Sequence, residues 1–344
     1  MKILLISPIA PPAGGIATWT KEYLESEYAE ENEIKLVNIA VSGKRIREGW
    51  RFNFFEELHR LRIILKNLKL VLKKDSFDIV HINSSCSRFG LIRELICINM
   101  IKKRKIDIVI HFHCDVSYMI KRKIQKIILK KILKQVNKII VLNKISLEYI
   151  KNISSKSKIY IIPNFIDSGI VDTTNKDISN EVKKVVFVGR VSELKGCNNI
   201  IDVAYKFPQI EFTLIGKVEN SYINKKIPDN VKMIGEVNNV IDQIKMADVF
   251  LFPTHTEGFP CALLEAMAVG LPIIATRVGA IPDMLEEKGG LYCKINNNED
   301  IISSIQKLQY DKELRTRMSE WNRNKVKSNY LKEDVLKKIF SIYG

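Results

Sequence analysis

Twelve short runs rich in β-branched residues punctuate the chain, each separated from the next by a segment of helix length. The first six are KILLIS (2–7), IKLVNI (34–39), DIVHIN (78–83), DIVIHF (107–112), KIIVLN (138–143) and KIYIIP (158–163). Neighbouring parallel strands need crossovers of a dozen or more residues, so strands spaced this way predict a parallel sheet wrapped by helices. A polar stretch, SGIVDTTNKDISNEVKK (168–184), is expected to be irregular. After it the alternation resumes with KVVFVG (184–189), EFTLIG (211–216), VKMIGE (231–236), DVFLFPT (248–254), LPIIAT (271–276) and GLYCKI (290–295). The expectation is α/β: two Rossmann-like doubly wound domains facing a central cleft. Its parts are an N-terminal domain over 1–165, a linker over 166–182, a second domain over 183–325 and a C-terminal helix over 326–344 that returns to the first domain. A length of 344 residues agrees with two domains, at about 150 residues each.

Hydrophobic residues at 46% and charged residues at 27% allow large cores, and no low-complexity tract or repeat interrupts them. The six cysteines, at 86, 97, 114, 197, 261 and 293, show no C-x-x-C or Cys/His pairing, which points to a reducing, cytoplasmic compartment. The opening MKILLISPIAPPAGG imitates a signal peptide, but Pro8 breaks its apolar core and no small-x-small cleavage site follows, so it reads as a buried first strand. No run approaches the roughly 18 apolar residues of a spanning helix.

The net charge of +16 is unevenly placed. Residues 1–165 hold 31 Lys+Arg against 15 Asp+Glu, whereas residues 166–344 hold 24 of each, so the whole excess lies in the first half. Codon bias would enrich both halves alike. Much of the excess falls in LHRLRIILKNLKLVLKK (58–74) and YMIKRKIQKIILKKILKQVNK (118–138), where Ile and Leu recur at three- and four-residue spacing between basic residues. Each has the pattern of a basic amphipathic helix. An ordinary solvated surface helix has this pattern, and so does a helix resting on anionic lipid, where each basic residue adds about 1 kcal/mol. Two of them in the half that carries all the charge favour an anionic membrane surface. Nucleic acid is not expected as a partner, because no aromatic platform or recognition helix accompanies the charge.

In open α/β sheets ligands lie beyond the carboxyl ends of the strands. There, after the first strand, Gly14 and Gly15 precede a helix starting near Ile16. Glycines at a helix N-terminus let backbone N–H groups approach an anion, although a tight turn uses the same residues. In FVGRVSELKG, Arg190 and Lys195 flank one strand-end loop between Gly189 and Gly196, which suits a diphosphate. Glu257 precedes an apolar helix and Glu265 lies inside it. Carboxylates so placed can accept from sugar or ribose hydroxyls, but periodicity alone does not separate that reading from a solvated glutamate.

EGFPCALLEAMAVGLPIIAT closely resembles the E-x-x-x-x-x-x-x-E signature of the retaining family 4 glycosyltransferases (glycosyl transferases group 1), of the two-domain GT-B fold. The resemblance spans essentially the whole chain: the glycine loop near 14, HFH at 111–113, IIPNFID at 161–167, VGRVSELKG at 188–196 and the signature at 257–265 follow in family order. It implies that Glu257 holds the hydroxyls of the donor sugar, with Gly258, Phe259 and Pro260 shaping the pocket, and that Glu265 binds the nucleotide ribose. Arg190 and Lys195 would neutralise the leaving diphosphate, and Gly14, Gly15 and Ile16 would approach it from the first domain. His113 matches a strand-end histidine facing the donor sugar, with His111 as its neighbour. GFP in place of GFG after Glu257 is a common family variation. No cofactor is implied, and without a D-x-D pair no metal is expected at the diphosphate. The expected activity is transfer of a hexosyl or N-acetylhexosaminyl group, with retention, from a nucleotide-sugar, taken as a UDP-sugar. The acceptor would be a lipid-linked oligosaccharide in bacterial cell-surface polysaccharide synthesis, at the inner face of the cell membrane. The alternatives are a soluble retaining transferase acting on a small molecule or glucan, and a binding protein with a dead cleft, against which the intact Arg190, Lys195, Glu257 and Glu265 weigh.

Overall fold

The computed structural model describes residues 1–12, 14–40, 53–154, 158–172 and 177–344. The chain divides into two compact units, one of Met1–Asn164 with Val335–Gly344 and the other of Phe165–Asp334.

The first unit is built on a parallel sheet of β1 (Lys2–Ser7), β2 (Glu33–Asn38), β3 (Ile79–Ser84), β4 (Asp107–Phe112), β5 (Lys138–Val141) and β6 (Lys158–Ile161), in the order β2-β1-β3-β4-β5-β6. Strand β3 is buried at every position, and the edge strands β2 and β6 are largely half-exposed. This matches a sheet covered on both faces by crossover helices. Its core runs from Leu4 and Ile6 through Val80, Ile82, Ile108 and Ile110 to Leu129 and Ile132.

The second unit carries β7 (Lys184–Val188), β8 (Glu211–Ile215), β9 (Val231–Gly235), β10 (Val249–Phe252), β11 (Ile273–Thr276) and β12 (Gly290–Cys293). Their order, β12-β11-β10-β7-β8-β9, is the dinucleotide-fold order, in which the chain leaves β7 in one direction and returns beside it at β10. All twelve sequence runs are strands, and their ends match to within two residues.

Three local expectations need correction. The stretch 118–138 is not one helix: Val116–Met119 ends, a break follows, Lys123–Leu133 forms a new helix and Lys138 opens β5. The apolar period continues through the break, but the Gln125 side chain accepts from the Arg122 N–H at 3.1 Å and donates to the Met119 carbonyl at 3.1 Å, which closes one helix and starts the next. Within the stretch read as irregular, Ser168–Asp172 is a short helix, started by the Asp167 carboxylate accepting from the Gly169 N–H at 2.9 Å. Residues 173–176 of the expected linker lie outside the described residues. Residues 326–344 hold two helices, the end of Lys312–Asn329 and then Lys332–Tyr343. The break is a bridge to Ile166, which donates to the Tyr330 carbonyl and accepts from the Lys332 N–H, each at 2.9 Å.

Candidate active site

Strands β7 and β10 are neighbours, and the loops leaving their carboxyl ends carry Arg190, Lys195 and Glu257. This is the switch point of the second sheet, where crossovers diverge to opposite faces and leave a crevice. Glycines let the two loops lie against each other. Gly196 has φ +73°, and a Cβ there would come within 2.1 Å of the Pro253 carbonyl oxygen at the end of β10. The His255 N–H donates to the Leu194 carbonyl at 2.9 Å, fastening one loop to the other. Gly279, with φ +53°, backs Glu257 so closely that a Cβ would lie 1.7 Å from the Glu257 carbonyl oxygen.

The outcome is an ion pair between the Lys195 ammonium and the Glu257 carboxylate, with side chains 28% and 11% exposed. The Thr254 hydroxyl, fully buried, adds a long hydrogen bond to the same carboxylate at 3.4 Å. Burial raises the Glu257 pKa, and the Lys195 charge opposes that rise. Arg190 is half-exposed, with a guanidinium nitrogen 4.0 Å from Glu219, so it is only loosely held. Glu265 sits in the helix Cys261–Val269, whose N-cap is Pro260. It makes no hydrogen bond or ion pair among the described residues, and burial pushes its carboxyl up to about 7. Phe259 is buried and packs edge-on against Tyr330, ring centres 5.5 Å apart, so its side chain braces the loop from behind.

In the first unit, Gly14 is extended (φ 172°) and caps the helix Gly15–Leu24, whose first turn holds no acidic residue. A Cβ at Gly14 or Gly15 would meet nothing within 4 Å. Neither glycine is demanded by backbone conformation or packing, which leaves open space in front of a helix N-terminus. Ile16 is half-buried beside them.

His111 and His113 point to the same side of β4, as alternation requires, with ring centres 3.9 Å apart. His111 is fully buried and neither of its ring nitrogens has a partner, whereas His113 is partly exposed. Asn83 on β3 accepts through Oδ1 from His113 Nε2 at 2.9 Å and from His81 Nε2 at 3.0 Å, while its amide donates to Ser7 Oγ at 2.9 Å. One carbonyl oxygen taking both bonds requires both rings to be protonated at Nε2, so each neutral ring carries its lone pair on Nδ1. His81 uses that lone pair to accept from the Tyr343 hydroxyl at 2.6 Å. Desolvation, with His81 adding to it, pushes His113 down to about 3. The ring therefore stays neutral and offers Nδ1 as a hydrogen-bond acceptor.

The Glycosyl transferases group 1 family model matches residues 172–325, and the Glycosyltransferase Family 4 model matches residues 19–169. The chain belongs to the group 1 glycosyltransferases. Among curated relatives, an uncharacterized 41.2 kDa protein in the cps region of Klebsiella pneumoniae is 28% identical over 311 residues, 83% of this chain and 84% of its own length. The capsular polysaccharide biosynthesis glycosyltransferase CapM of Staphylococcus aureus is 26% identical over 191 residues, 52% of this chain and 50% of CapM. Several other relatives are likewise matched over half their length or less, 32% in one case. Sucrose-phosphate synthase from Thermosynechococcus elongatus superposes with a TM-score of 0.82 at 16% identity, covering 99% of this chain and 98% of that one. HepE of Anabaena, in complex with UDP and glucose, superposes with a TM-score of 0.76 at 16% identity, covering 99% of each chain. The fold is the two-domain GT-B fold.

The structure of the transferase thus joins Lys195 to Glu257 and places Arg190 on the same loop as Lys195. It also shows which of the two histidines is accessible. Asn83, His81, Tyr343, Thr254 and Gly279, which sequence reasoning passed over, hold these groups in place. For Asn83 and His81 a signal existed, two polar residues alternating with Val80 and Ile82 inside a buried-strand pattern. Because Gly15 faces open space, Gly15→Val is expected to shift the melting temperature by less than about 2 °C, within the range of surface substitutions. Turnover with donor should fall tenfold or more in the same variant. Equal turnover in a stopped assay would remove the glycine loop from the site.

Proposed function

We propose that the protein transfers a sugar, with retention, from a UDP-sugar to a lipid-linked oligosaccharide in cell-surface polysaccharide synthesis, working at the inner face of the cell membrane. The observation that carries the donor half of this reading is the switch-point constellation. A cationic loop and the carboxylate paired to it meet beyond β7 and β10, and an unpaired buried carboxylate lies in the helix that follows. UDP in HepE and the capsular role in the name of CapM support the donor base and the pathway class.

Glu265, lacking an internal partner, would accept from the ribose hydroxyls. Glu257 would accept from hydroxyls of the donor sugar, with the Gly258, Phe259 and Pro260 turn forming the pocket wall and His113 Nδ1 accepting from a further hydroxyl. As the bond from the anomeric carbon to the diphosphate oxygen breaks, Arg190, Lys195 and the helix N-terminus at Gly15 and Ile16 would stabilise the charge that develops. The acceptor oxygen would attack from the same face, its proton passing to an oxygen of the departing diphosphate. Retention then needs no protein nucleophile. Thermal stabilisation by a panel of nucleotide-sugars tests the donor, since a ligand at a hundred times its dissociation constant adds about 2.7 kcal/mol. Stabilisation by none of them would end the reading.

The membrane half rests on the outward face of Lys123–Leu133. Lys123, Lys126, Lys130, Lys131 and the adjoining Lys134 are exposed there beside Ile124 and Ile127, 58% and 50% exposed. Single exposed isoleucines are ordinary on a solvated surface, but here two stand three residues apart on a face that holds five lysines, a combination that anionic lipid accepts. Phe54 and Phe55, also exposed, open the second basic helix, Phe54–Lys74. No helix among the described residues is long and apolar enough to cross a membrane. Replacing the five lysines with Gln is expected to release the protein from acidic vesicles in co-sedimentation, and wild-type binding should weaken as salt rises. Equal binding to neutral and acidic vesicles would favour the soluble-acceptor alternative.

A further inference from the structure

Inside the first unit one chain of hydrogen bonds runs from the helix Gly15–Leu24 to the His113 ring. Thr20 bonds through Oγ1 to the Ile16 carbonyl, one turn back, at 2.8 Å, and its hydroxyl also meets that of Ser7 at the end of β1. Ser7 Oγ in turn meets the Asn83 side-chain amide, whose other end meets His81 and His113. From His81 the chain continues to the Tyr343 hydroxyl and on to that of Tyr23, 2.9 Å away. Ser7, Thr20, Tyr23, His81 and Asn83 are at most 1% exposed, so the protons of this chain are shared among its own members.

Those protons can be assigned from the Thr20 end. A main-chain carbonyl only accepts, so the single Thr20 hydroxyl proton goes to Ile16, and Ser7 supplies the proton between the two hydroxyls. Ser7 has then spent its proton and can only accept from Asn83, which turns the amide nitrogen toward Ser7 and Oδ1 toward the two histidines. The direction follows from oxygen atoms alone, before any choice of amide or ring orientation enters. At the far end the assignment also closes: burial holds His81 neutral, pushed down to about 4, its Nδ1 accepts from Tyr343, and Tyr343 accepts from Tyr23. With the amide turned the other way, Asn83 would donate to both rings and each would carry its proton on Nδ1. His113 Nδ1 would then donate instead of accept.

We infer that Ser7 and Thr20 are positioning residues for the transfer reaction: they hold the Asn83 amide in the one direction that leaves His113 Nδ1 an acceptor for a hydroxyl of the donor sugar. This rests on the reading that His113 meets that sugar. A hydroxyl donating to a neutral lone pair forms a stronger hydrogen bond as positive charge develops on the sugar ring, because its proton becomes more acidic, whereas an N–H aimed at the same place opposes that charge. The helix Gly15–Leu24 then acts twice, its first N–H groups toward the diphosphate and its Ile16 carbonyl, through Thr20, Ser7 and Asn83, toward the sugar.

The test is nitrogen-15 NMR of the full-length protein labelled at its five histidines, with the His81 and His113 signals assigned by replacing each in turn. In the wild type both rings should be single Nε2–H tautomers. Thr20→Val puts a methyl group in place of the hydroxyl and frees Ser7 to donate to Asn83, so the amide can take either direction. His81 and His113 should then each show both tautomers, in the same ratio and with populations within tenfold of each other, and Thr20→Ser should restore the single form. With the nucleotide-sugar that most raises the melting temperature, kcat of Thr20→Val should fall fivefold or more while KM stays within twofold, and Thr20→Ser should recover it. A wild-type His113 protonated at Nδ1 would overturn the inference, a measurement that stands even where Thr20→Val does not fold. Single Nε2–H rings in Thr20→Val would overturn it as well, and a loss of kcat alongside them would leave the donor reading untouched. Mixed tautomers with unchanged kcat would uphold the control of His113 by Ser7 and Thr20 and remove His113 from the donor sugar.

Discussion

Lys195→Ala is expected to lower kcat by about 10²–10³-fold, the loss seen when one preorganised electrostatic donor is removed from a transition state. Lys195 touches Glu257, so the substitution acts twice. On the proposed reading it withdraws a positive charge from the departing diphosphate, and it leaves a carboxylate that is 11% exposed without its cation. The pKa of that carboxylate, which burial already raises, then rises further, because the cation that opposed the rise is gone. If Glu257 meets the donor sugar as proposed, Glu257→Ala should also reduce turnover more than affinity, because such a contact matters most as the sugar distorts. The two losses should not add: a Lys195→Met, Glu257→Gln double variant should be no slower than the worse single variant. It should also recover the stability that Lys195→Ala forfeits, since no unpaired buried charge remains. A kcat within tenfold of wild type for Lys195→Ala at saturating donor would remove Lys195 from the diphosphate. Full additivity in the double variant would mean that the ion pair has no functional coupling.

The strands were legible because a parallel sheet covered on both faces writes its strands as short unbroken apolar runs, and helix-length gaps admit few other topologies. The same logic placed Arg190, Lys195 and Glu257 at strand ends. What joins them was not legible. Gly279 is required by a backbone oxygen of Glu257, a contact set only when β11 lies beside β10. His111 and His113 could not be separated by alternation, which gives the side of a strand and not what covers it. Trp19, packed edge-on against both rings, belongs to a helix distant in sequence. The break inside 118–138 hid behind an apolar period that continues across it, and only the hydrogen bonds of Gln125 reveal it. Sequence periodicity reports the face an element buries; caps, close approaches and hydrogen-bond networks depend on partners that periodicity does not contain.

Glu265→Gln should separate binding from stability, with opposite signs. In the folded protein burial raises the carboxyl from an ordinary 4.5 to about 7, and no internal partner offsets the cost. The ionised form is therefore penalised in the folded state relative to the unfolded one. The penalty is absent below the unfolded value, grows as pH rises from 4.5 and is complete above about 7. At about 1.4 kcal/mol for each pKa unit, it reaches about 3 kcal/mol at pH 8. Glutamine carries no charge at any pH, so Glu265→Gln should melt several degrees higher than wild type at pH 8, with the gap closing by pH 4.5. If the carboxylate accepts from two ribose hydroxyls, the amide, with one acceptor oxygen, should weaken nucleoside diphosphate binding tenfold or more at pH 8. Nucleotide affinity in the wild type should itself fall as pH drops from 8 to 6, because protonation removes the acceptor that the ribose needs. In Glu265→Gln that fall should vanish. Identical pH profiles for the two proteins, in melting temperature and in nucleotide affinity, would show that Glu265 neither bears the desolvation cost nor meets the ribose.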